Sequence, residues 1–332
     1  MNQNPKFAVI GGGSWATAIA KMLCVNLPEI AWYMRNESSI NHIKTHKHNP
    51  NYLSSVEFDI KKLRLTSDIN EAIVYADYLI FAIPSAFLSA ELAKVTEGSL
   101  KGKVIFSAIK GIVPETFLIV GEHFNQKFDI PLENIGVITG PCHAEEVALE
   151  RLSYLTIACG DAEKAKVVAK TLAGNYIKTK ISDDIIGTEY AAMLKNIYAI
   201  AAGIAHGLGY GDNFQAVIMS NAIREMKKFI KKVHKMKRNI NNSAYLGDLL
   251  VTGYSVFSRN RMFGNMIGKG YTVKSAMMEM SMVAEGYYAV KSAYKLNKDY
   301  KAQTPIIDAV YEILYEGKDA KVTFKKLTDK LD

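Results

Sequence analysis

The chain has 332 residues, 49% of them hydrophobic and 22% charged, an ordinary globular composition and enough length for two domains with a core that needs no disulfide or metal. The formal net charge of +8 suits either a basic surface or an anionic ligand, and no recognisable motif makes the ligand a nucleic acid. Three cysteines, Cys24, Cys142 and Cys159, form no CxxC pair, which excludes a disulfide framework and fits a reducing, cytoplasmic setting.

The N-terminus MNQNPKFAVIGGG lacks the apolar stretch and cleavage site of a signal peptide. No window approaches the ~18 apolar residues of a membrane helix. The first half alternates apolar runs with helical stretches. Strands are expected at Phe7–Ile10, Ile30–Met34, Tyr78–Ile83, Lys103–Ala108, Gly136–Thr139, Leu155–Cys159 and Ile177–Ile181, with helices at Trp15–Val25, Ile69–Tyr75, Phe87–Val95 and Ala162–Leu172. Continuous apolar runs mark strands buried on both faces, and the βα alternation predicts a Rossmann-type, doubly wound, mostly parallel sheet. Beyond residue 184 the strand signal fades. Helices are expected at Ile185–His206, Asn213–Lys235, Ser275–Tyr294 and Thr304–Tyr315, so the reading is an α/β domain over 1–184 and an all-helical domain over 185–332. The basic segment 224–238 repeats apolar residues at helical spacing and reads as an amphipathic helix with a solvated face. Arg238–Ser243 reads as a polar loop.

The strand Phe7–Ile10 leads into Gly11-Gly12-Gly13-Ser14-Trp15-Ala16, a G-x-G-x-x-A turn at the start of a helix. Gly11 permits the tight turn, Gly13 lets the backbone approach a pyrophosphate, and Ala16 allows close helix–strand packing. The helix N-terminus offers free N–H groups and partial positive charge to phosphates. Where an acidic residue would hold the ribose of NAD, the second strand is followed by Arg35-Asn36. Arginine there suits a 2′-phosphate, which favours NADP or a site that accepts both cofactors.

Several later segments are polar where packing does not require it. Ser107-Ala108-Ile109-Lys110-Gly111 ends a strand with a lysine, and ligands of doubly wound sheets lie beyond the carboxyl ends of the strands. Thr139-Gly140-Pro141-Cys142-His143-Ala144-Glu145-Glu146 is another strand followed by a helix start. Lys195 stands among Met193, Leu194 and Ile197, where burial would lower its pKa toward a value useful for proton transfer. Ser258-Arg259-Asn260-Arg261 gathers donors and guanidinium groups of the kind a phosphate needs.

Taken in order, GGGSWATAIA, SAIKG, GPCHAEEV, LKNIYAIAAGI, LGDLLVT, SRNR and VAEG resemble the bacterial-type NAD(P)-dependent glycerol-3-phosphate dehydrogenases from residue 11 to about 286. That family interconverts dihydroxyacetone phosphate and sn-glycerol 3-phosphate, supplying glycerol 3-phosphate for phospholipid synthesis. The resemblance implies that Ser14, Trp15, Arg35, Ala144, Val283 and Glu285 contact the dinucleotide and that Lys110 lies between cofactor and substrate. It implies that Gly140 and Cys142 line the substrate site, and that Lys195 transfers the proton beside Asp248. Asp248, Ser258, Arg259 and Asn260 are then expected to hold the substrate, Arg259 reaching the cofactor too. Cys142 stands where the family often has serine or threonine, and Ala16 and Ala192 where it often has glycine.

The same reading expects NADP or NAD as cofactor, a small phosphorylated substrate, no metal, no nucleic acid, no membrane insertion and a homodimer. His42, His46 and His48 cluster in sequence without a nearby carboxylate or cysteine ligand, and His143-x-Glu145 lacks the downstream P-C-x-x-C of zinc deaminases. The rival readings are a β-hydroxyacid dehydrogenase or ketopantoate reductase, which would lack the Ser258-Arg259-Asn260 site, and a non-catalytic NAD(P)H-sensing regulator.

Overall fold

The structure, a computed structural model, describes residues 5–280 and 284–332. Two compact units emerge: residues 1–109 with 118–185, and residues 110–117 with 186–332. The short segment 110–117, which begins at Lys110, thus groups with the helical unit.

The first unit is built on a sheet of eight strands among the described residues: β1 Phe7–Ile10, β2 Ile30–Tyr33, β3 Leu63–Thr66, β4 Tyr78–Phe81, β5 Val104–Ser107, β6 Ile135–Thr139, β7 Ser153–Cys159 and β8 Ile177–Ser182. Their order is β3-β2-β1-β4-β5-β6-β7-β8, and every pair is parallel except β6 with β7, in which Gly136 faces Cys159 and Thr139 faces Thr156. The strand order reverses at β1, so the crevice beyond its carboxyl end is the expected ligand position of a doubly wound sheet. Helices α1 Ser14–Asn26, α2 Glu37–His46, α3 Ile69–Tyr75, α4 Leu88–Leu92, α5 Val120–Phe128, α6 Ala144–Ala148 and α7 Ala162–Leu172 belong to this unit. β1, β2, β4 and β5 are buried at every position, which explains their unbroken apolar sequence. β3 was not expected. It is an edge strand, LRLT, with Arg64 exposed, so it shows no apolar run. α2 was also missed because ESSINHIKTH is polar, although the Asn36 side chain caps it by accepting from Ser38 N.

The second unit holds α8 Ile185–Gly207, α9 Asp212–Val233, α10 Asp248–Tyr254, α11 Arg259–Gly268, α12 Val273–Glu279, α13 Glu285–Tyr300, α14 Pro305–Tyr315 and α15 Ala320–Thr328. (The partition places Ile185 itself in the first unit.) Every residue of α8 from Gly187 to Ala205 is buried, as expected of a helix that is apolar on all sides. Glycines set its contacts. A methyl group on Gly264 would overlap the Ile200 carbonyl, and one on Gly203 would overlap the Arg261 carbonyl, so α11 crosses α8 backbone to backbone.

The single helix expected over Ser275–Tyr294 is two. α12 ends at Glu279 and α13 begins at Glu285. The physical reason is a cap that local sequence does not announce: Asn260 Oδ1, from α11, accepts from Gly286 N at 2.9 Å and satisfies a first-turn N–H of α13. Val283, expected to contact the cofactor, lies outside the described residues. The basic helix stops at Val233, two residues short of the expected Lys235.

Candidate active site

In the first unit β1 delivers the chain into the glycine turn. Gly11 has φ 134°, and a methyl group there would overlap the Ala82 carbonyl, so only glycine fits. A Cβ on Gly13 would meet nothing within 4 Å, which leaves the open space that a pyrophosphate approaching the backbone requires. Gly13 is the N-cap of α1 and offers no side-chain cap, and the N-terminus of a helix is where backbone N–H groups and the helix dipole suit an anion. Ser14 is buried and Trp15 half-buried beside them. These residues fit a dinucleotide. Arg35 lies beyond the end of β2 and is exposed, its guanidinium 6.0 Å from the centre of the Phe87 ring.

Gly140 follows β6 with φ 122°, and a Cβ there would sit 2.7 Å from the Tyr154 carbonyl oxygen. Its glycine is therefore required by the backbone itself. Cys142 and Ala144, also in this unit, are buried. The His42, His46 and His48 rings do gather, with centroids 4.3, 4.9 and 6.3 Å apart. Desolvation and the two neighbouring imidazoles hold His42 below the usual imidazole pKa. Among the described residues no group of three or more His, Cys, Asp or Glu is arranged to hold a metal ion.

The second unit brings together most of the other expected residues. Lys195 on α8 and Asp248 at the start of α10 are 2% and 1% exposed, and Lys195 Nζ donates to Asp248 Oδ1. Burial lowers the Lys195 pKa to about 8; Asp248 opposes that shift, and the neighbouring Lys110 charge adds to it. A lysine held there exchanges its proton near neutral pH, whereas a solvated lysine stays charged. A π turn over Ser243–Gly247 feeds into α10 and presents Asp248; such turns recur at functional sites.

Lys110 is half-buried, and its carbonyl accepts from Asn196 Nδ2 at 3.1 Å. Asn196 follows Lys195 on α8, so one helix holds both the lysine and the segment that carries its neighbour. Sequence reasoning gave Asn196 no role. The available signal was an amide within a mostly apolar helix, where burial costs free energy unless the group is bonded.

Ser258 is buried and caps α11, its Oγ accepting from Arg261 N at 3.3 Å. Arg259 and Asn260 are the first two residues of that ten-residue helix, so a guanidinium and a helix N-terminus share one place, which suits a phosphate. Asn260 has spent its Oδ1 on Gly286 N, which leaves its amide protons as donors. Glu285 stands close enough to Lys110, Arg259 and Lys195 for each to offset the rise in its pKa that desolvation causes. Lys110, Arg259 and Lys195 thus lie within electrostatic reach of Glu285, and Lys195 is bonded to Asp248.

The family model described as NAD-dependent glycerol-3-phosphate dehydrogenase N-terminus matches residues 6–165, and that of the C-terminus matches residues 184–325. The glycerol-3-phosphate dehydrogenase [NAD(P)+] of Macrococcus caseolyticus is 34% identical over 324 residues, 97% of each chain. That of Limosilactobacillus reuteri is 34% identical over 332 residues, 98% of this chain and 97% of its own. The crystal structure of glycerol-3-phosphate dehydrogenase from Coxiella burnetii shares the fold with a TM-score of 0.89 at 24% identity, covering 98% of this chain and 99% of that one. A ketopantoate reductase from Ralstonia eutropha shares it more distantly, with a TM-score of 0.56 at 13% identity over 97% of this chain and 99% of its own. The chain belongs to the NAD-dependent glycerol-3-phosphate dehydrogenase family.

Proposed function

We propose that this enzyme interconverts dihydroxyacetone phosphate and sn-glycerol 3-phosphate with NADPH or NADH, and that Lys195 is its proton donor. The observation that carries the reading is the buried Lys195–Asp248 pair, with Glu285 within electrostatic reach of both Lys195 and Arg259, the first residue of α11. A ketone that carries a phosphate one carbon away needs both groups.

A nicotinamide held by the glycine turn would supply the hydride chemistry at the ketone carbon, in either direction. Arg259, Asn260 and the first turn of α11 bind the phosphate and orient the carbonyl, so binding energy remote from the reacting carbon positions it. Lys195 in its ammonium form gives a proton to the developing alkoxide, and the amine that remains accepts one from the hydroxyl in reverse. Asp248 aims the lysine Nζ. Lys110 adds positive charge where the alkoxide forms. The glycine turn, Ser14, Trp15 and Ala144 would hold the dinucleotide, and the family resemblance gives Glu285 a dinucleotide role as well. Arg35 reads the 2′-phosphate, so NADPH serves at least as well as NADH.

The reading takes no metal, and activity is expected to survive EDTA dialysis; recovery by added zinc after a loss would contradict it. The assembly is a homodimer, which light scattering on the purified protein tests. The direct test of the function follows absorbance at 340 nm with NADPH and dihydroxyacetone phosphate. Turnover with the phosphate ester and very little with unphosphorylated dihydroxyacetone is expected. Equal turnover with both would remove the phosphate site, and turnover only with ketopantoate would replace the reading.

A further inference from the structure

Three consecutive carbonyls of the glycine turn each have a hydrogen-bond donor. Gly11 O accepts from Trp32 Nε1 at 2.7 Å, and Gly12 O from Asn49 Nδ2 at 3.1 Å. Gly13 O accepts from both Thr17 N and Thr17 Oγ1 at 2.9 Å. Trp32 comes from β2 and Asn49 from the segment after α2, so two of these donors lie outside the turn and its helix.

Asn49 is 1% exposed. Its Nδ2 also donates to Thr17 Oγ1 at 2.9 Å, and its Oδ1 accepts from Asn51 N at 3.0 Å and Tyr52 N at 3.3 Å. The amide is used on both sides: one side shapes its own loop, the other reaches the turn.

A trans peptide is planar, so the N–H that follows a carbonyl points away from it. With the carbonyls of Gly11 and Gly12 held by Trp32 and Asn49, the N–H groups of Gly12 and Gly13 face the opposite side. Glycine peptides flip between orientations at little cost. A flipped unit would turn an oxygen toward the pyrophosphate where a donor is needed.

We propose that Asn49, together with Trp32, is a positioning residue for the dinucleotide, fixing the peptide orientation of the glycine turn so that its N–H groups meet the pyrophosphate. The proposal rests on the dinucleotide reading of that turn. Because the pyrophosphate is common to NADH and NADPH, the effect of Asn49 is blind to the 2′-phosphate and separate from the substrate.

The test is a fluorescence titration of NADPH and NADH against the wild type, Asn49→Asp, Thr17→Val and Gly13→Val, with thermal melts to record folding. Asn49→Asp keeps the acceptor side of the amide and at pH 8 loses its donors. It should weaken both cofactors about three- to tenfold, the range of one ordinary hydrogen bond, leaving their ratio and the KM for dihydroxyacetone phosphate unchanged. Thr17→Val, which is isosteric, should weaken both cofactors in the same direction and decides the matter if the aspartate variant does not fold. Unchanged affinity in the folded variants, with binding abolished in Gly13→Val, overturns the proposal and keeps the turn as the dinucleotide site. Normal binding by Gly13→Val overturns the reading of the turn and the proposal with it. A parallel loss of substrate affinity in Asn49→Asp marks general damage and also overturns the proposal.

Discussion

The two units solve the same problem, holding a charged group against a low-dielectric interior, by different means. The first does it with backbone. Its proposed anion-binding groups are the N–H groups of a glycine turn and a helix N-terminus, which cost no buried charge. The second does it with side chains, a lysine and an aspartate both almost fully buried. Backbone donors are fixed and always protonated, which suits binding. A buried lysine lies close to its neutral form, which suits proton transfer, and the desolvation that makes it useful is a cost the surrounding helices must support. The contrast separates binding from chemistry and can be broken experimentally.

The largest effect is expected from Lys195→Ala. Turnover should fall by ~10²–10⁴, the range typical of general acid–base catalysis, while NADPH affinity stays near the wild-type value. Near-normal turnover would pass the role to Lys110 and erase the contrast. Arg259→Ala should lower kcat/KM for dihydroxyacetone phosphate by about tenfold or more, from the ~1.5–3 kcal/mol of a hydrogen bond to a charged group. An equal fall for the unphosphorylated ketone would show that Arg259 does not read the phosphate.

Arg35→Asp sharpens the other side. It should shift preference from NADPH toward NADH by several-fold on steady-state kcat/KM, through loss of one exposed ion contact; equal loss with both cofactors would show that Arg35 does not read the 2′-phosphate. The finest readout is the midpoint of the pH dependence. Lys195 is protonated below its pKa of about 8, so ketone reduction should reach half its maximum at that pH and fall further above it, and alcohol oxidation should rise through it. Asp248 acts to raise that pKa, so Asp248→Asn should move the midpoint to lower pH. A profile flat from pH 6 to 10 would assign the proton to another group.

Much of the first unit is legible in the sequence because its signals are local. β1, the glycine turn and α1 follow one another within 20 residues, and buried strands announce themselves by composition. Where burial is partial, as in β3, or the helix polar, as in α2, the signal is lost. In the second unit the resemblance pointed to Lys195, Asp248 and the Ser258-Arg259-Asn260 run, and single residues such as Lys195 stood out chemically. The break between α12 and α13 was invisible because its cap comes from Asn260, 26 residues before Gly286.

The sequence by itself determined the βα alternation, the glycine turn between the first strand and its helix, and a lysine set within an apolar helical stretch. Those features depend on local backbone freedom, hydrophobic period and the cost of desolvating charge. Only the tertiary structure decided which partner each buried polar group would have. Lys195 meets Asp248 across 53 residues, Asn49 reaches Gly12 across 37, and Glu225 of α9 accepts from Ile306 N and Ile307 N at the start of α14 across 81 and 82. A buried polar group must find a hydrogen bond, but chain entropy places no preference on where in the sequence the partner stands. Helix crossings set by residues such as Gly264 against Ile200 decide that.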